Sequence, residues 1–462
     1  MRAWVLAIVI AACFAPAAAQ EDASRQRFRA IYEELVEIDT SPSTGSCTAA
    51  ANAMLAHLRA AGYSEADAQV IIPEGAPEDG NVVAQLRGTS RQRAVLLLAH
   101  IDVVDARRED WERDPFTLVE ENGFLYGRGV ADDKAMAAVF LDLMVRLREE
   151  NFRPRRTIKM ALTCGEETSN RVNGVDYLLR NHRQWMAADF AVNEGAGGVL
   201  GPDGRPLVFN VQAGEKIHQV MALEVTNPGG HSSRPVPDNA IYRLSAGLGR
   251  LSQHQFPVEL NPVTRSFFER MAPIVGGEMS AAMTAIAANP NDAAAAAVLA
   301  RDPTFNAMMR TTCVATELDA GHAANALPQR ARATLSCRVL QGHSPETVQA
   351  ELQRVLADPQ IRVEIVRRRD GSRPPELTRA IMSPVERAVA RMWPGTPIVP
   401  VMTVGATDGR FLNNAGIPTY GMSGMFSMPG ETNAHGLNEK IRVQSLHEGR
   451  EFLESIVRDY AR

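Results

Sequence analysis

The chain has 462 residues, of which 45% are hydrophobic and 22% are charged, and its formal net charge is −5. This length exceeds what one ordinary hydrophobic core organises, so two domains are expected, and the composition is ordinary for a globular enzyme. A slightly acidic chain lacks the basic surface that nucleic acid demands, and we set that class of function aside.

The first residues have the pattern of a secretory signal. The chain starts with Met-Arg, residues 3–14 are almost wholly apolar, and residues 17–19 are three alanines that offer a cleavage site. The apolar run is too short for a stable membrane anchor. We therefore predict a signal peptide over 1–19 and an exported protein, periplasmic or secreted. A lipoprotein signal ending at Cys13 is the alternative, and no later stretch reaches membrane-spanning length.

The α/β pattern dominates both ends of the chain that follows. Strands are predicted over 81–87, 93–99, 157–163, 190–193, 398–402 and 417–421, and helices over 24–38, 47–61, 174–183 and 377–392 and after Lys134. Residues 94–99 are apolar throughout, which is typical of a strand buried on both faces of a helix-covered sheet. Strands alternating with helices indicate an α/β sandwich.

The pattern changes after Gly214. Strands are predicted over 217–225, 311–317, 331–340 and 361–367, with helices over 240–253 and 344–356. This β-α-β-β-α-β order is typical of a ferredoxin-like domain. We therefore predict a catalytic domain in two parts, 20–214 and 371–462, with an inserted lid over 215–370. An Ala/Met-rich stretch, about 257–310, is expected to be helical, and its role cannot be derived from the sequence.

The cysteines form no metal-thiolate pattern. Cys47, Cys164, Cys313 and Cys337 lie beyond the predicted signal, and their spacings match no zinc site. An oxidising compartment permits disulfides, but the sequence leaves their pairing open. Cys164 is expected to be a packed core residue.

Carboxylate and imidazole groups follow the predicted strands of the α/β domain. His100-Ile101-Asp102 ends the most apolar strand, Glu166-Glu167 and Glu194 follow the next two, and His435 lies in a late loop. Each could be a solvated loop residue if taken alone. Together they lie where open α/β sheets bind ligands, at the carboxyl ends of the strands.

A junction at Tyr126–Lys134 adds two acids, Asp132 and Asp133, between a turn-rich segment and an apolar helix. It lacks the third glycine of a dinucleotide fingerprint and the Gly-Lys-Ser/Thr of a phosphate loop. Carboxylates and imidazoles without thiolates suit zinc, and five or six such groups exceed the needs of one ion. The sequence therefore predicts two bridged metal ions that share a water.

These motifs, in this order, resemble the M20 family of dinuclear zinc peptidases and deacylases, which includes glutamate carboxypeptidase, succinyl-diaminopimelate desuccinylase and aminoacylase relatives. The resemblance is carried by the His-x-Asp motif, the Gly-Arg-Gly-x-x-Asp-x-Lys loop, the Glu-Glu pair and the late histidine. It covers nearly the whole chain beyond the predicted signal. It implies a zinc-exopeptidase-like three-layer sandwich with an inserted ferredoxin-like α+β lid.

The resemblance also implies the roles of the metal ligands. His100 and Asp132 would hold one ion, with Asp132 bridging both. Glu167 and His435 would complete the second set, and Glu194 would be the terminal ligand beside His100. The implied ions are two Zn²⁺, with Co²⁺ able to substitute.

The resemblance implies roles for three further residues near these ligands. Asp102 would accept the ring N–H of His100 and fix its tautomer. Glu166 matches the general base, which takes a proton from the attacking water and passes it to the leaving nitrogen. Asp133 matches the residue that follows a non-proline cis peptide bond in the family.

In the lid, His231 matches a residue that stabilises the oxyanion and comes from the partner subunit in dimeric members. Asn325 and Arg338 match substrate-holding positions, and Thr407 lies in a segment that lines the substrate pocket. A homodimer through the lid is the corresponding expectation, although the stretch at 257–310 lengthens the lid and puts the standard dimer in question.

The resulting prediction is an exported metallo-hydrolase that cleaves an amide bond of small peptides or N-acyl amino acids. Arg338 would bind a free carboxylate, because its planar fork donates two parallel hydrogen bonds. This favours carboxypeptidase or acylamino-acid specificity. Two alternatives are a non-catalytic metal-binding homologue and an aminopeptidase of another co-catalytic zinc family. The presence of Glu166 argues against the first, and the Gly-Gly-His-Ser-Ser lid motif argues against the second.

Overall fold

The computed structural model describes residues 17–168, 170–369, 371 and 374–462, with side chains from residue 23 onward. Most of the predicted signal, including Cys13, lies outside these residues. Ala17 to Ala19 belong to the first helix. Among the residues that the structure describes, no helix is both long and apolar enough to cross a bilayer.

The strands, in chain order, are β1 Ala68–Ile71, β2 Asn81–Leu86, β3 Val95–His100, β4 Val119–Glu121, β5 Phe124–Tyr126, β6 Ile158–Thr163, β7 Phe190–Asn193, β8 Gly198–Leu200, β9 Pro206–Glu215, β10 Ile217–Thr226, β11 Gly230–His231, β12 Thr312–Ala320, β13 Ala326–Leu327, β14 Arg330–Val339, β15 Arg362–Arg367, β16 Ile398–Thr403, β17 Thr419–Gly421, β18 Phe426–Ser427 and β19 Lys440–Arg442. The helices are α1 Ala17–Glu37, α2 Cys47–Ala60, α3 Lys134–Glu149, α4 Gly174–Asn181, α5 Arg183–Met186, α6 Ala240–Gln253, α7 Pro262–Val275, α8 Gly277–Ala288, α9 Ala293–Leu299, α10 Pro303–Met309, α11 Pro345–Leu356, α12 Arg379–Met392, α13 Gly409–Asn414 and α14 Val443–Ala461.

A ten-stranded mixed sheet forms the centre of the α/β part, in the order β1-β2-β6-β3-β7-β17-β9-β8-β18, with β16 paired to β9. Strand β3 runs parallel to both of its neighbours, β6 and β7. Its side chains divide between two cores: Val95 and Leu97 join the cluster under α1, α2, α3 and α14, and Leu96 and Leu98 join the cluster with α4 and α5. The predicted burial on both faces is confirmed, and the result is three layers.

The inserted segment forms a separate antiparallel sheet in the order β12-β14-β10-β15. The chain order β10-α6-β12-β14-α11-β15 is the predicted β-α-β-β-α-β pattern. Helices α6 and α11 contribute Leu244 and Leu352 to one core, which also holds Leu335 of β14. The helices therefore cover one face of the lid sheet and leave the other face toward solvent and toward the junction with the large sheet. We call this junction, which Glu215, His218 and Arg410 line, the cleft.

The Ala/Met-rich stretch forms helices α7 to α10, as predicted. Its apolar side chains, among them Phe268 and Met283, bury against Val208 of β9 and Val399 of β16. This cluster is distinct from the lid core. The four helices therefore cover an edge region of the large sheet.

Two disulfides answer the question that the cysteine spacing left open. Cys47 of α2 is bonded to Cys164 just after β6, and Cys313 of β12 is bonded to Cys337 of β14. We call the second the lid disulfide. Cys164 is buried as expected, but its partner makes it a covalent link rather than a packed thiol. The link ties the segment before Glu166 to α2.

Candidate active site

His100 lies at the carboxyl end of β3 and is 2% exposed. Its Nδ1 is 3.0 Å from the main-chain oxygen of Asp102, whereas the Asp102 carboxylate is 3.8 Å away. A carbonyl oxygen can only accept, so Nδ1 carries the proton and Nε2 is free to bind a cation. The acceptor for the His100 ring is therefore the carbonyl oxygen of Asp102 and not the carboxylate that we expected from the sequence.

The carboxylate of Asp102 has a different task. It accepts hydrogen bonds from the main-chain N–H of Glu166 at 3.2 Å and of Glu167 at 3.0 Å. Both of its oxygens are therefore occupied by the turn that follows β6. Asp102 joins the ends of two neighbouring strands and orients the Glu-Glu pair relative to His100.

Asp132 stands between two imidazole–carboxylate pairs. Its Oδ1 is 3.1 Å from Nε2 of His100, and Glu194 Oε2 is 3.7 Å from the same nitrogen. Its Oδ2 is 3.2 Å from Nε2 of His435, which lies 2.8 Å from Glu167 Oε2. One carboxylate thus faces two separate groups with opposite oxygens, which is the arrangement that a bridging ligand requires.

The charges at this centre are unbalanced. Burial raises the pKa of Glu166, and the nearby charge of Glu194 adds to the effect. Burial would lower the pKa of His100, but Glu194 and Asp132 outweigh it and raise that pKa well above its usual value. Hydrogen bonds to carboxylates, Asp132 first, raise the pKa of His435 to about 10. The clustered carboxylates attract positive charge to the space between them, as a cation site must.

The donor set fits divalent cations. Ligand atoms of His100, Asp132 and Glu167 lie within 4.8 Å of one another, as do those of His100, Asp133 and Glu194. The buried Oδ2 of Asp133 has no hydrogen-bond partner among the described residues, so it is a further oxygen donor. Imidazole and carboxylate without thiolate suit zinc. The peptide bond between Asp132 and Asp133 is cis, as the resemblance implied.

Two glycines give the ligand loops room to turn. Gly129 has φ +82°, and a Cβ there would lie 2.5 Å from a methyl group of Val103. Gly165, just before the Glu-Glu pair, has φ +84°, and a Cβ there would lie 2.5 Å from the carbonyl oxygen of Val172. Glycine is required at both positions by conformation and by space.

Glu439 is a central residue that the sequence did not reveal. It is 1% exposed and accepts from Arg128 Nη1 at 2.8 Å, forming a buried ion pair. Its two oxygens also accept from the main-chain N–H groups of Gly129, Ala131 and Asp132 at 3.1, 2.8 and 3.1 Å. Burial raises the pKa of Glu439, and these donors oppose the shift. Glu439 therefore holds the loop that presents Asp132.

Arg128 links this loop to the segment that carries His435. Its Nη2 donates to the main-chain oxygen of Gly436 at 2.9 Å, and its guanidinium lies 4.9 Å from the ring centroid of Trp111. The arginine is therefore desolvated and held through both terminal nitrogens, whereas its buried Nε has no hydrogen-bond partner among the described residues. The glycines and the arginine of the motif serve to hold the ligand loop, and the acids after them face the cation site.

The lid residues lie away from this centre. His231 and Asn325 are both exposed and sit on the two paired short strands β11 and β13 or next to them. His231 Nδ1 accepts from Ser233. Among the described residues, no hydrogen bond or ion pair joins His231 or Asn325 to the ligand candidates.

Thr407 is buried, and its main-chain N–H and its hydroxyl group form hydrogen bonds with other protein groups. Its N–H donates to Glu215 Oε2 at 2.6 Å, and its Oγ1 accepts from Asn193 Nδ2 at 3.2 Å and from Gly409 N–H at 3.0 Å. Thr407 therefore joins the end of β7 to the loop before α13. Its observed contacts are with the protein.

A three-layer sandwich, a separate antiparallel lid sheet and a carboxylate–imidazole cluster at the strand ends define a metal-dependent hydrolase. The family model described as "Peptidase family M20/M25/M40" matches residues 96–459. The chain belongs to this family, and it is a metallohydrolase that acts on carbon–nitrogen bonds.

The relatives span different substrates. The N-fatty-acyl-amino acid synthase/hydrolase PM20D1 of Homo sapiens is 29% identical over 375 residues, which cover 79% of this chain and 73% of that protein. The probable carboxypeptidase S-like 2 of Dictyostelium discoideum is 26% identical over 377 residues, covering 79% and 72%. The M20 family metallo-carboxypeptidase Sso-CP2 from Sulfolobus solfataricus has the same fold, with a TM-score of 0.67 at 19% identity over 94% of this chain and 99% of that one.

Proposed function

We propose that this chain hydrolyses the amide bond of N-acyl amino acids or small peptides that carry a free carboxylate. The proposal rests on Asp132, whose two oxygens face separate His–Glu pairs beside the buried Glu166. We assign His100, Asp132 and Glu194 to one zinc ion, and Asp132, Glu167 and His435 to the other. Two zinc ions, or cobalt ions in their place, would supply Lewis acidity that polarises the amide carbonyl and acidifies water.

Glu166 is the proposed general base. Its main-chain N–H is held by Asp102, and burial among other carboxylates raises the pKa of its side chain. A raised pKa suits a group that must accept a proton from water and then release it to the leaving nitrogen. A donor from His231 would stabilise the oxyanion that develops on the carbonyl.

The substrate class is supported by Arg338 and by the relatives. Arg338 lies half-buried on the cleft face of β14 and has no acceptor among the described residues. A guanidinium binds a carboxylate through two parallel bonds. The relatives named for N-fatty-acyl amino acids and for carboxypeptidase activity act on molecules that would present a carboxylate beside the scissile amide.

We further propose that the protein is exported by the signal at 1–19, with catalytic parts at 20–214 and 371–462 and a lid at 215–370. Two disulfides support an oxidising compartment, because such bonds persist mainly outside the cytosol. Export is tested by sequencing the amino terminus of the mature protein. A mature chain that begins at Cys13 would instead indicate a lipoprotein.

A homodimer through the lid is also proposed. Strand β12 is an edge strand with Val314 and Leu318 61% and 63% exposed. Exposed apolar side chains on an unpaired edge favour pairing with a second copy. The exposed His231 could then reach the partner's metal centre. A purely monomeric chain at micromolar concentration in analytical ultracentrifugation would refute this arrangement.

The activity is tested by assaying zinc-loaded protein against matched N-acyl amino acids and dipeptides. Glu166→Gln should retain about two zinc ions per chain and lose at least about 10²–10⁴-fold in kcat. Metal content measured on the same sample separates loss of the base from loss of the site. Near-normal hydrolysis by Glu166→Gln would remove the proposed mechanism.

A further inference from the structure

A group of positive charges faces the cleft from the lid sheet. Arg338 of β14 is the direct partner of His218 in β10, so the two side chains share one face. Residues 217, 219 and 221 of β10 are buried toward the lid helices, while His218 is half-exposed on the opposite face. His218 Nε2 lies 3.1 Å from Ser336 Oγ on that same face. The pair therefore points away from the lid core.

Two more arginines reach the same place from other segments. Arg369 follows β15, and its main-chain N–H donates to Gln219 Oε1 at 3.1 Å. Arg410 lies in α13 of the large domain. Arg369, Arg410 and His218 line one small cavity, together with Glu215, Lys216, Ile217, Gln341 and Gly371. Two lid segments and one large-domain helix thus converge at the junction between lid and sheet.

These guanidinium groups lack acceptors in the part of the chain that the structure describes, although that of Arg410 lies 4.0 Å from the ring centroid of Phe411. Among the described residues, no hydrogen bond or ion pair engages the side chains of Arg338, Arg369 or Arg410 with an acceptor. Burial, followed by the three arginine charges, lowers the pKa of His218 to about 4, so that this ring is neutral near pH 7. Burial, followed by Arg410, lowers the pKa of Arg369 to about 10. The like charges are close enough to repel one another.

One acid, Glu215, is among the residues that line this cavity. Glu215 accepts from Thr407 N–H, and its buried Oε1 has no partner among the described residues. One carboxylate cannot balance three guanidinium groups, and an unpaired buried charge is costly. The cavity therefore has excess positive charge that an anionic ligand would neutralise.

The cluster is next to the candidate metal centre. Thr407, three positions before Arg410, accepts from Asn193, and Asn193 directly precedes the ligand Glu194. The negative charge of Glu166 partly opposes the lowering of the Arg369 pKa, which is consistent with this proximity. A molecule whose amide lies at Glu166 can therefore extend its carboxyl side toward these arginines.

We infer that the site prefers substrates whose amino-acid half carries two carboxylates, as in N-acyl glutamate, N-acyl aspartate or a peptide with an acidic carboxyl-terminal residue. This inference rests on the proposed function. Arg338 binds the α-carboxylate, and Arg369 and Arg410 bind the carboxylate of the side chain. The two substrate carboxylates would offset two of the three guanidinium charges. Arg369 and Arg410 are therefore specificity-determining residues.

The test compares kcat/KM for isosteric pairs: N-acetyl-glutamate against N-acetyl-glutamine, and N-dodecanoyl-glutamate against N-dodecanoyl-glutamine. The zinc-loaded wild type should favour the glutamate member by about 10- to 100-fold, the value of a charge-assisted hydrogen bond. Arg369→Gln and Arg410→Gln should each lower this ratio at least about tenfold. Arg367→Gln is the matched control, because it removes the same charge from an exposed position two residues away, outside the cavity.

The possible outcomes distinguish a failure of the inferred substrate preference from a failure of the proposed amide hydrolysis. Equal kcat/KM for both members of each pair in the wild type would overturn the preference for acidic substrates while leaving the proposed amide hydrolysis intact. An equal fall for both members in Arg369→Gln and Arg410→Gln would also overturn it, since these arginines would then bind the common carboxylate or support the fold. If the protein hydrolyses neither these amides nor dipeptides, the proposed function is wrong, and the inference falls with it.

Discussion

Glu439→Gln tests how the ligand loop is held. In the folded protein each oxygen of Glu439 accepts two hydrogen bonds, one from Arg128 with Gly129, the other from Ala131 with Asp132. Glutamine replaces one of these oxygens by an NH₂ group, which is itself a donor. The two N–H groups that donated to that oxygen would then face a donor instead of an acceptor. Two bonds to a charged acceptor are lost, and the buried arginine loses its counter-charge. Breaking such a buried pair costs about 3–5 kcal/mol.

Two measurements follow from this. The urea midpoint of metal-free Glu439→Gln should fall, and its zinc affinity should drop about 10–100-fold, as for other partners that orient metal ligands. Glu278→Gln is the control, because its pair with Arg301 is exposed on both sides and should cost at most about 1 kcal/mol. Wild-type stability and zinc affinity in Glu439→Gln would refute the idea that this carboxylate holds the loop of Asp132.

Three other changes have expected outcomes. Arg338→Ala should raise KM about 10–100-fold for substrates with a free carboxylate; an equal rise for carboxamide analogues would exclude a carboxylate contact. Burial raises the pKa of Glu215 from 4.5 to about 7. The folded state thus retains a proton that the unfolded state releases, and stability is lost as pH rises through that window. The melting temperature of Glu215→Gln minus that of the wild type should therefore increase as the pH rises from 5 to 8. A difference that stays constant over this range would contradict the prediction. Replacing Cys47 and Cys164 by serine opens a link across 117 residues and should cost about 4–5 kcal/mol, against about 3 kcal/mol for the lid disulfide across 24; urea midpoints that fall equally would contradict this ranking.

The clustering of the candidate ligands could be predicted because it depends on strand ends. His100, Glu167 and Glu194 each follow an apolar strand, and β3, β6 and β7 are neighbours whose carboxyl ends meet at one edge. The lid order was readable for a similar reason, since alternation along 217–225 and 331–340 fixes which face of each strand is buried. Local sequence patterns were therefore sufficient to predict both the strand-end cluster and the order of the lid elements.

The supports of the site could not be predicted. Arg128 and Glu439 are 311 positions apart, and Glu439 lies in a loop with no periodic pattern. The disulfide partner of Cys164 lies 117 positions away. The acceptor for His100 is a carbonyl oxygen, which every residue possesses, so the sequence could not single it out.

Several elements were missed, and most of them are short. Strands β4, β5 and β19 have three residues each, and they form a small sheet beside the Asp132 loop that the sequence presented as turns. The ten-residue strand β9 was not predicted either. The convergence of Arg369 and Arg410 depends on how the lid meets the large sheet, and no local pattern encodes that.

The central claim is that Asp132 bridges two zinc ions. Crystals of the zinc-loaded protein, measured with X-rays on both sides of the zinc absorption edge, test it directly. We expect two zinc peaks about 3.5–4 Å apart, one beside His100 and Glu194, the other beside His435 and Glu167, with one Asp132 oxygen bound to each. A single zinc ion, or two ions that do not share Asp132, would contradict it.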